Sequence, residues 1–455
     1  MVQNDEKLCG LSKERLVSLF DAGTFVELGA YTKRADDPTA FESVVCGYGA
    51  VEGKLVFAFV QDSGRTKGAF GPRHERKIRS LYDLAVKNGA PVIGVFDSSG
   101  AVVYDGAAAL AAYGTLMKTI SDASGIIPQI AVIDGVCGGI SAVAASMFDF
   151  VVTVGDRAEL FVNAPFVIGK SLSASAQGLS AYEATDEAAA FGFARELVSL
   201  LPQNNADTSF VETADNPNRA VTVDGDAYEA ETLVRTLADD GRFLRLYGDY
   251  TDNALFGFGS FGGNLAAVVA SNPERKGILD ISVARAAAKL ITFCDAFSIP
   301  VVTLVDSEGL EKTVEAENAS YASELARLAY AYTSSDNGKL TVVLGKAYGA
   351  AFTLLGSKSV GADMALALPT ACISVLSPEA SVAFLWNDRV GEIPREDLEQ
   401  EWKEKCASAA EAADAGEIDD VIDPTELRQR ICAALNMLSA KATGVPARKR
   451  HGLPL

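Results

Sequence analysis

The chain has 455 residues, 49% hydrophobic and 22% charged, with a net charge of −20. That length exceeds one typical core and predicts two domains, and the composition excludes extended disorder. The acidic balance argues against non-specific binding to nucleic acid or anionic membrane, and no apolar run reaches the roughly 20 residues that span a bilayer.

In chain order, the opening MVQNDEKLCGLSKERL is polar and has no apolar h-region, so a cytoplasmic protein is expected. Seven cysteines (9, 46, 137, 294, 372, 406, 432) are scattered and never spaced as CxxC, which predicts reduced thiols and neither disulfides nor a zinc site. There are two histidines, His74 and His451, which leaves little for a histidine-based triad or metal centre. VVCGYGAVEGKLVFAFVQ, 44–61, sets β-branched and aromatic residues between glycines and predicts a strand pair. The densest basic run follows, RTKGAFGPRHERKIR at 65–79, with Arg65, Lys67, Arg73, Arg76, Lys77 and Arg79 broken by Gly68 and Gly71. Such runs are commonly solvated faces, but this one suits a phosphate-bearing ligand. An amphipathic helix over about 75–89 leads to the buried strand PVIGVF, which ends in Asp-Ser-x-Gly. A second helix, the strand QIAVID, a glycine turn and an apolar helix complete the set. An acidic, polar stretch over roughly 203–233 reads as interdomain. The charged, alanine-rich tail at 395–440 reads as one or two surface or interface helices.

The chain repeats itself. PVIGVFDSSGAVV at 91–103 answers PVVTLVDSEGLEK at 300–312, pairing Pro91 with Pro300, Asp97 with Asp306 and Gly100 with Gly309 at an offset of 209. VVCGYGAVEGKLV at 44–56 answers ALFGFGSFGGNLA at 254–266, and GVCGGISA at 135–142 answers GKAYGAAF at 345–352, both at 210. Alternating strands and helices imply parallel sheets, with ligands at the carboxyl ends of the strands. The glycine loops fall there: Gly100-Ala101 and Gly138-Gly139 in the first copy, Gly309-Leu310 and Gly349-Ala350 in the second. Each pair of loops offers two backbone N–H donors to one oxygen, an oxyanion hole, and glycine is needed because a Cβ would block close approach.

Longer segments carry a resemblance. LSKERLVSLFDAGTFVELG, GPRHERKI, NPERKGILDISVARAAAKLITFCDAFSIPVVTLVD, AADAGEIDDVIDPTELRQRI and PARKRHGLPL are similar to the carboxyltransferase β-subunits of propionyl-CoA carboxylase and the related methylmalonyl-CoA and glutaconyl-CoA decarboxylases. The resemblance implies an α/β fold of two tandem crotonase-like domains (the ClpP/crotonase superfold), 1–235 on the acyl-CoA side and 236–455 on the carboxybiotin side. It implies a homo-oligomer with its site between the first domain of one subunit and the second of another. Gly100, Ala101, Gly138 and Gly139 would then stabilise the enolate of a coenzyme A thioester. Gly309, Leu310, Gly349 and Ala350, with Tyr348, would serve the biotin oxygen, and released biotin could itself take the α-proton. Arg73, Arg76 and Lys77 would hold the phosphates of the acyl-CoA. Biotin would arrive on a separate carboxyl carrier protein, with a biotin carboxylase or a membrane decarboxylase subunit as partner. Neither a biotinyl-lysine motif nor a metal site is present in the sequence.

The sequence departs from the family pattern at GAVVYDG (100–106), at SLSASAQGLSAYEATDEAAA (171–190) and at SEGLEKTVEAE (307–317). These departures keep open a non-catalytic paralogue within a larger complex; two further alternatives are another crotonase-type acyl-CoA enzyme using Asp105 and a serine protease pairing Ser98 or Ser99 with His74.

Overall fold

The structure, a computed structural model, describes residues 10–441 apart from 35, 36, 38, 65, 170–173, 175, 176, 209 and 223–227. Arg65, part of the 171–190 segment and the basic C-terminus lie outside the described residues. The chain divides into two compact units, residues 1–208 and 209–455. The division falls earlier than the expected 235/236, because Val221 and the helix Ala230–Leu237 pack into the second unit's core.

In the first unit, α1 (Gly10–Leu19) precedes an antiparallel series, β1 (Val26–Leu28), β2 (Val44–Val51) and β3 (Lys54–Gln61). A two-residue turn joins β2 to β3 at Glu52-Gly53, both at positive φ (49° and 74°), which suits a twisted hairpin. The chain then crosses by α2 (Pro72–Asn88) to β4 (Val92–Ser98), and by α3 (Ala107–Ala123) to β5 (Gln129–Gly138). α4 (Ile140–Ser146), β6 (Phe150–Val154), β7 (Glu159–Phe161), α5 (Pro165–Ile168), β8 (Tyr182–Ala184) and α6 (Glu187–Leu200) follow. The sheet order is β1-β2-β3-β4-β5-β6-β8, with β7 on the far end of β5. β3 to β6 run parallel, and every residue of β4 is buried, as its unbroken apolar run requires.

The second unit repeats this. α7 (Ala230–Leu237), β9 (Phe243–Leu246), β10 (Ala254–Phe261) and β11 (Asn264–Ser271) lead through α8 (Ile281–Ala296) to β12 (Val301–Ser307). Then come α9 (Val314–Asn318), α10 (Tyr321–Ser334), β13 (Lys339–Tyr348), α11 (Ala350–Leu354), β14 (Met364–Ala367) and β15 (Cys372–Ser374). α12 (Pro378–Leu385), α13 (Arg395–Cys406), α14 (Ala409–Asp414), β16 (Asp420–Val421) and α15 (Leu427–Leu438) complete it. The order β9-β10-β11-β12-β13-β14-β16, with β15 on the end of β13, matches the first sheet strand for strand. Even the irregularity matches: register shifts after Phe96 and after Val305, so that Ser98 meets Cys137 and Ser307 meets Ala347.

Three details differ from expectation. The single helix expected between β12 and β13 is broken in two at Ser320, held at φ 64°. The tail forms three helices, and α15 is no surface helix: Leu427, Ile431 and Leu435 recur every fourth residue and are fully buried. Beside them Arg428, also fully buried, donates to the Leu237 carbonyl and, at 2.6 Å, to Asp239. The copies also part company at Asp134, fully buried on β5, where the second copy has Leu344. Arg15 of α1 reaches both Asp134 and, at 3.0 Å, Glu187, while Arg157 lies 3.2 Å from Asp134. Burial, and then Glu187 alongside, push the Asp134 carboxyl up to about 7 against the pull of the two arginines.

Candidate active site

Each unit builds its loops by the same local logic. Gly68 and Gly277 have φ of 65° and 54°, and a Cβ on either would run into the carbonyl oxygen of Asp97 or Asp306. Only glycine lets the preceding loop approach the strand end this closely. At the last residue of each strand, Ser98 and Ser307 accept the N–H of Gly100 and Gly309, each at 3.2 Å. Gly100 and Gly309 sit at φ 116° and 124°. Their carbonyls accept from Phe70 (2.8 Å) and Leu279 (3.0 Å), which in turn accept from Val102 (2.9 Å) and Glu311 (3.3 Å). These parallel bridges take up the residues on both sides of Ala101 and Leu310. No acceptor among the described residues meets the N–H of Ala101 or Leu310.

In the second loop of each unit the amide of the turn glycine is already engaged. Gly138 is still in β5, and its missing Cβ leaves room for the Phe161 ring. Gly139 (φ 64°) donates its N–H to Phe161 O at 2.8 Å, and Gly349 (φ 61°) to Ser374 O at 2.8 Å, so neither amide is available. The amides without an acceptor among the described residues are those of Ile140 and Ala350, the first residues of α4 and α11. Ile140 is not among the residues that the glycine spacing singles out, whereas Ala350 is. The glycine bends the chain, and the following residue presents the donor.

In the second unit, Gly309, Leu310, Tyr348, Gly349 and Ala350 line one cavity of about 890 Å³. Glu308 shares it, 2.8 Å from Lys346 and 3.6 Å from Lys276. Burial would raise Glu308, but the two lysines prevail and hold it below the ordinary carboxylate range. Burial pushes the Tyr348 hydroxyl well above its usual value, so it stays protonated. In the first unit the Ser98–Cys137 pairing sets the Gly100-Ala101 loop beside the Gly138-Gly139 loop. Arg73, Arg76 and Lys77 are not at these loops; they line a different cavity, of about 340 Å³, along α2. Apolar side chains stand out around both loop sets: Tyr104 (101% exposed) and Phe166 (89%) in the first unit, Val375 (84%) and Phe384 (79%) in the second.

The protease alternative fails on His74. It is buried among Ser43 (3.4 Å), Gln61 (3.5 Å) and the Phe70 ring, and burial pushes it down to about 3. It is not paired with Ser98 or Ser99, whose hydroxyl and amide serve Gly100 and Lys67. Among the described residues no cluster of His, Cys, Asp and Glu could hold a metal, and no helix is long and apolar enough to cross a membrane.

The chain is similar to known proteins over nearly its whole length. A family model described as "Carboxyl transferase domain" matches residues 10–453. Methylmalonyl-CoA decarboxylase subunit alpha of Propionigenium modestum is 34% identical, over 98% of this chain and 93% of its own. The propionyl-CoA carboxylase beta chain of Saccharopolyspora erythraea is also 34% identical, over 98% and 90%. Among solved structures, the transcarboxylase 12S hexamer, with methylmalonyl-coenzyme A and methylmalonic acid bound, superimposes with a TM-score of 0.92. It has 30% identity and covers 98% of this chain and 92% of that one.

Proposed function

Because the chain belongs to the carboxyl transferase domain family, we propose that it moves a carboxyl group between biotin and the α-carbon of a short acyl-CoA, one half-reaction at each set of loops. The observation that carries this reading is the repeated pair of unengaged amides, Ala101 with Ile140 and Leu310 with Ala350, held by matching glycine contacts in two copies. The reaction develops negative charge on two oxygens in turn, the thioester carbonyl and the ureido carbonyl, and fixed amide donors stabilise such charge without reorganising.

In the first unit, Ala101 and Ile140 hold the thioester oxygen as the α-proton leaves. In the second, Leu310 and Ala350 hold the ureido oxygen in the cavity of about 890 Å³, which is roomy enough for a small bicyclic ring. Biotin, carried on a separate protein, supplies the nitrogen that gives up or accepts the carboxyl group. The names of the relatives favour propionyl-CoA or methylmalonyl-CoA as substrate and membership of a multi-subunit enzyme; a biotin carboxylase or a membrane decarboxylase subunit as partner, and a cytoplasmic location, belong to the same proposal. The exposed apolar rims at Tyr104, Phe166, Val375 and Phe384 support assembly with further copies of the chain.

The test is carboxyl transfer from methylmalonyl-CoA to free biotin by the purified, assembled protein. Transfer above background is expected, and a folded oligomer with no transfer for any short acyl-CoA would overturn the reading.

A further inference from the structure

The two units close their first glycine loops alike except at one bond. In the first unit the Phe70 carbonyl accepts directly from the Val102 amide, at 2.9 Å. The matching bond in the second unit, from the Glu311 amide to the Leu279 carbonyl, is stretched to 3.3 Å. A side-chain hydroxyl stands beside it: Tyr321 Oη accepts from the same Glu311 amide at 3.0 Å and donates to the same Leu279 carbonyl. One hydroxyl thus serves both ends of a backbone bridge. Among the described residues no side chain does this for Phe70 and Val102.

Leu310 is the residue this bridge encloses. Its N–H belongs to the same planar peptide as the Gly309 carbonyl, which accepts from Leu279 at 3.0 Å. The two groups of a trans peptide point in opposite directions, so the Leu310 N–H faces away from Leu279. Tyr321 fixes the next peptide, through the Glu311 amide. With both peptides pinned, the Leu310 amide keeps one direction. The anchor is firm, since Leu279 precedes Asp280, whose carboxylate caps α8 by accepting from Val283 at 2.8 Å. Beyond Glu311 the chain runs out over Lys312, Thr313 and Val314, all exposed.

The placement of Tyr321 has a backbone cost. It is the first residue of α10, only 4% exposed, and follows Ser320 at φ 64° and ψ 41°. Left-handed backbone is unfavourable for a residue with a Cβ and persists where the surroundings hold it. The break between α9 and α10 lets α10 begin at Tyr321, with its hydroxyl on Leu279 and Glu311. Burial, joined by the charges of Glu311, Asp280 and Glu317 and opposed by the Glu311 amide, pushes this hydroxyl up to about 12. Its proton therefore stays in place for the Leu279 carbonyl.

We infer that Tyr321 is a positioning residue, whose hydroxyl keeps the Leu310 amide aligned on the oxygen that the second unit stabilises, a support the first unit does without. The inference rests on the reading of that amide as a donor in the carboxyl transfer proposed above. A pre-aligned donor stabilises developing charge without reorganising, and a peptide free to swing loses that advantage in the transition state.

The test is Tyr321→Phe in the assembled protein, which removes the hydroxyl and leaves the ring packed. Carboxyl loss from free carboxybiotin should fall about tenfold in kcat, the effect of about one hydrogen bond, with KM within about twofold of wild type. Exchange of the propionyl-CoA α-proton, which reads the first unit, should keep its wild-type rate. Amide hydrogen exchange, resolved to single residues by mass spectrometry, should quicken about tenfold at Glu311 and stay unchanged at Val102. A general packing role would lower both half-reactions and the melting temperature together, and that result overturns the inference. So does an unchanged rate of carboxyl loss in an active protein, or unchanged exchange at Glu311. If the wild type takes no carboxyl from carboxybiotin while Glu311 exchanges faster in the variant, the clamp stands and the carboxyl-transfer reading falls.

Discussion

A donor made of main chain can be removed by one substitution, proline, and both helix-opening positions accept it. Ile140 and Ala350 are the first residues of α4 and α11, where an N–H has no partner within the helix and proline's fixed φ fits. A proline also disfavours helical backbone in the residue before it. Gly139 (φ 64°, ψ −129°) and Gly349 (φ 61°, ψ −145°) are already outside that region. Ile140→Pro and Ala350→Pro should therefore fold with stability close to wild type. On the proposed reading each deletes one of two oxyanion donors, a loss that typically lowers rate by about 10²–10³. The assays separate the halves: exchange of the propionyl-CoA α-proton in deuterated water for the first unit, and loss of carboxyl from free carboxybiotin for the second. Ile140→Pro should lower only the first and Ala350→Pro only the second. If both proline variants fold and keep both activities, the amide pairs are not oxyanion holes.

Other outcomes follow from the packing. Phe166→Asp places a charge on the exposed apolar rim of the first unit and should shift sedimentation toward smaller species; an unchanged profile would remove that rim from the interface. Asp134, held up to about 7 when folded against an ordinary 3.8, binds more protons folded than unfolded between those values. Its contribution to stability is therefore present at low pH and lost as pH rises through about 7. Asp134→Asn should flatten the fall in melting temperature between pH 5 and 8, and an identical slope in both proteins would refute this. Of the six described cysteines only Cys406 is exposed, while burial raises the Cys46, Cys137 and Cys294 thiols. Among these six, a thiol reagent should modify Cys406 first in the native protein and the other five only on unfolding; early labelling of Cys137 would contradict the packing of the first unit.

The duplication was legible in the sequence because strand positions are pinned by pairing, and so their spacing is kept to within one residue. The offset falls from 210 to 209 between β3 and β4 and returns to 210 between β4 and β5, where α3 is one helix and its counterparts α9–α10 are two, parted at Ser320. The contribution of residues 209–237 to the second core was hidden by their acidity, which masked the few inward positions, Val221, Leu233, Val234 and Leu237. α15 was hidden in the same way, with Arg428 buried beside an apolar stripe. At the site, glycine spacing located the loops, but which amide stays unengaged depends on where Phe161 and Ser374 present their carbonyls. Those partners lie on β7 and β15, short strands with too little pattern to read from the sequence.

The use of backbone amides also distributes mutational risk unevenly. At Ala101, Ile140, Leu310 and Ala350 any residue but proline still presents an N–H, so these positions can drift in size and polarity while the donor remains. Side chains there are free to reshape what the cavities admit, as Leu310 and Ile140 already differ from their counterparts Ala101 and Ala350. The fragility sits one step away, in Gly68 and Gly277, where even a methyl group meets a carbonyl oxygen. Such a scaffold can explore new acyl groups by single substitutions without passing through an inactive ancestor.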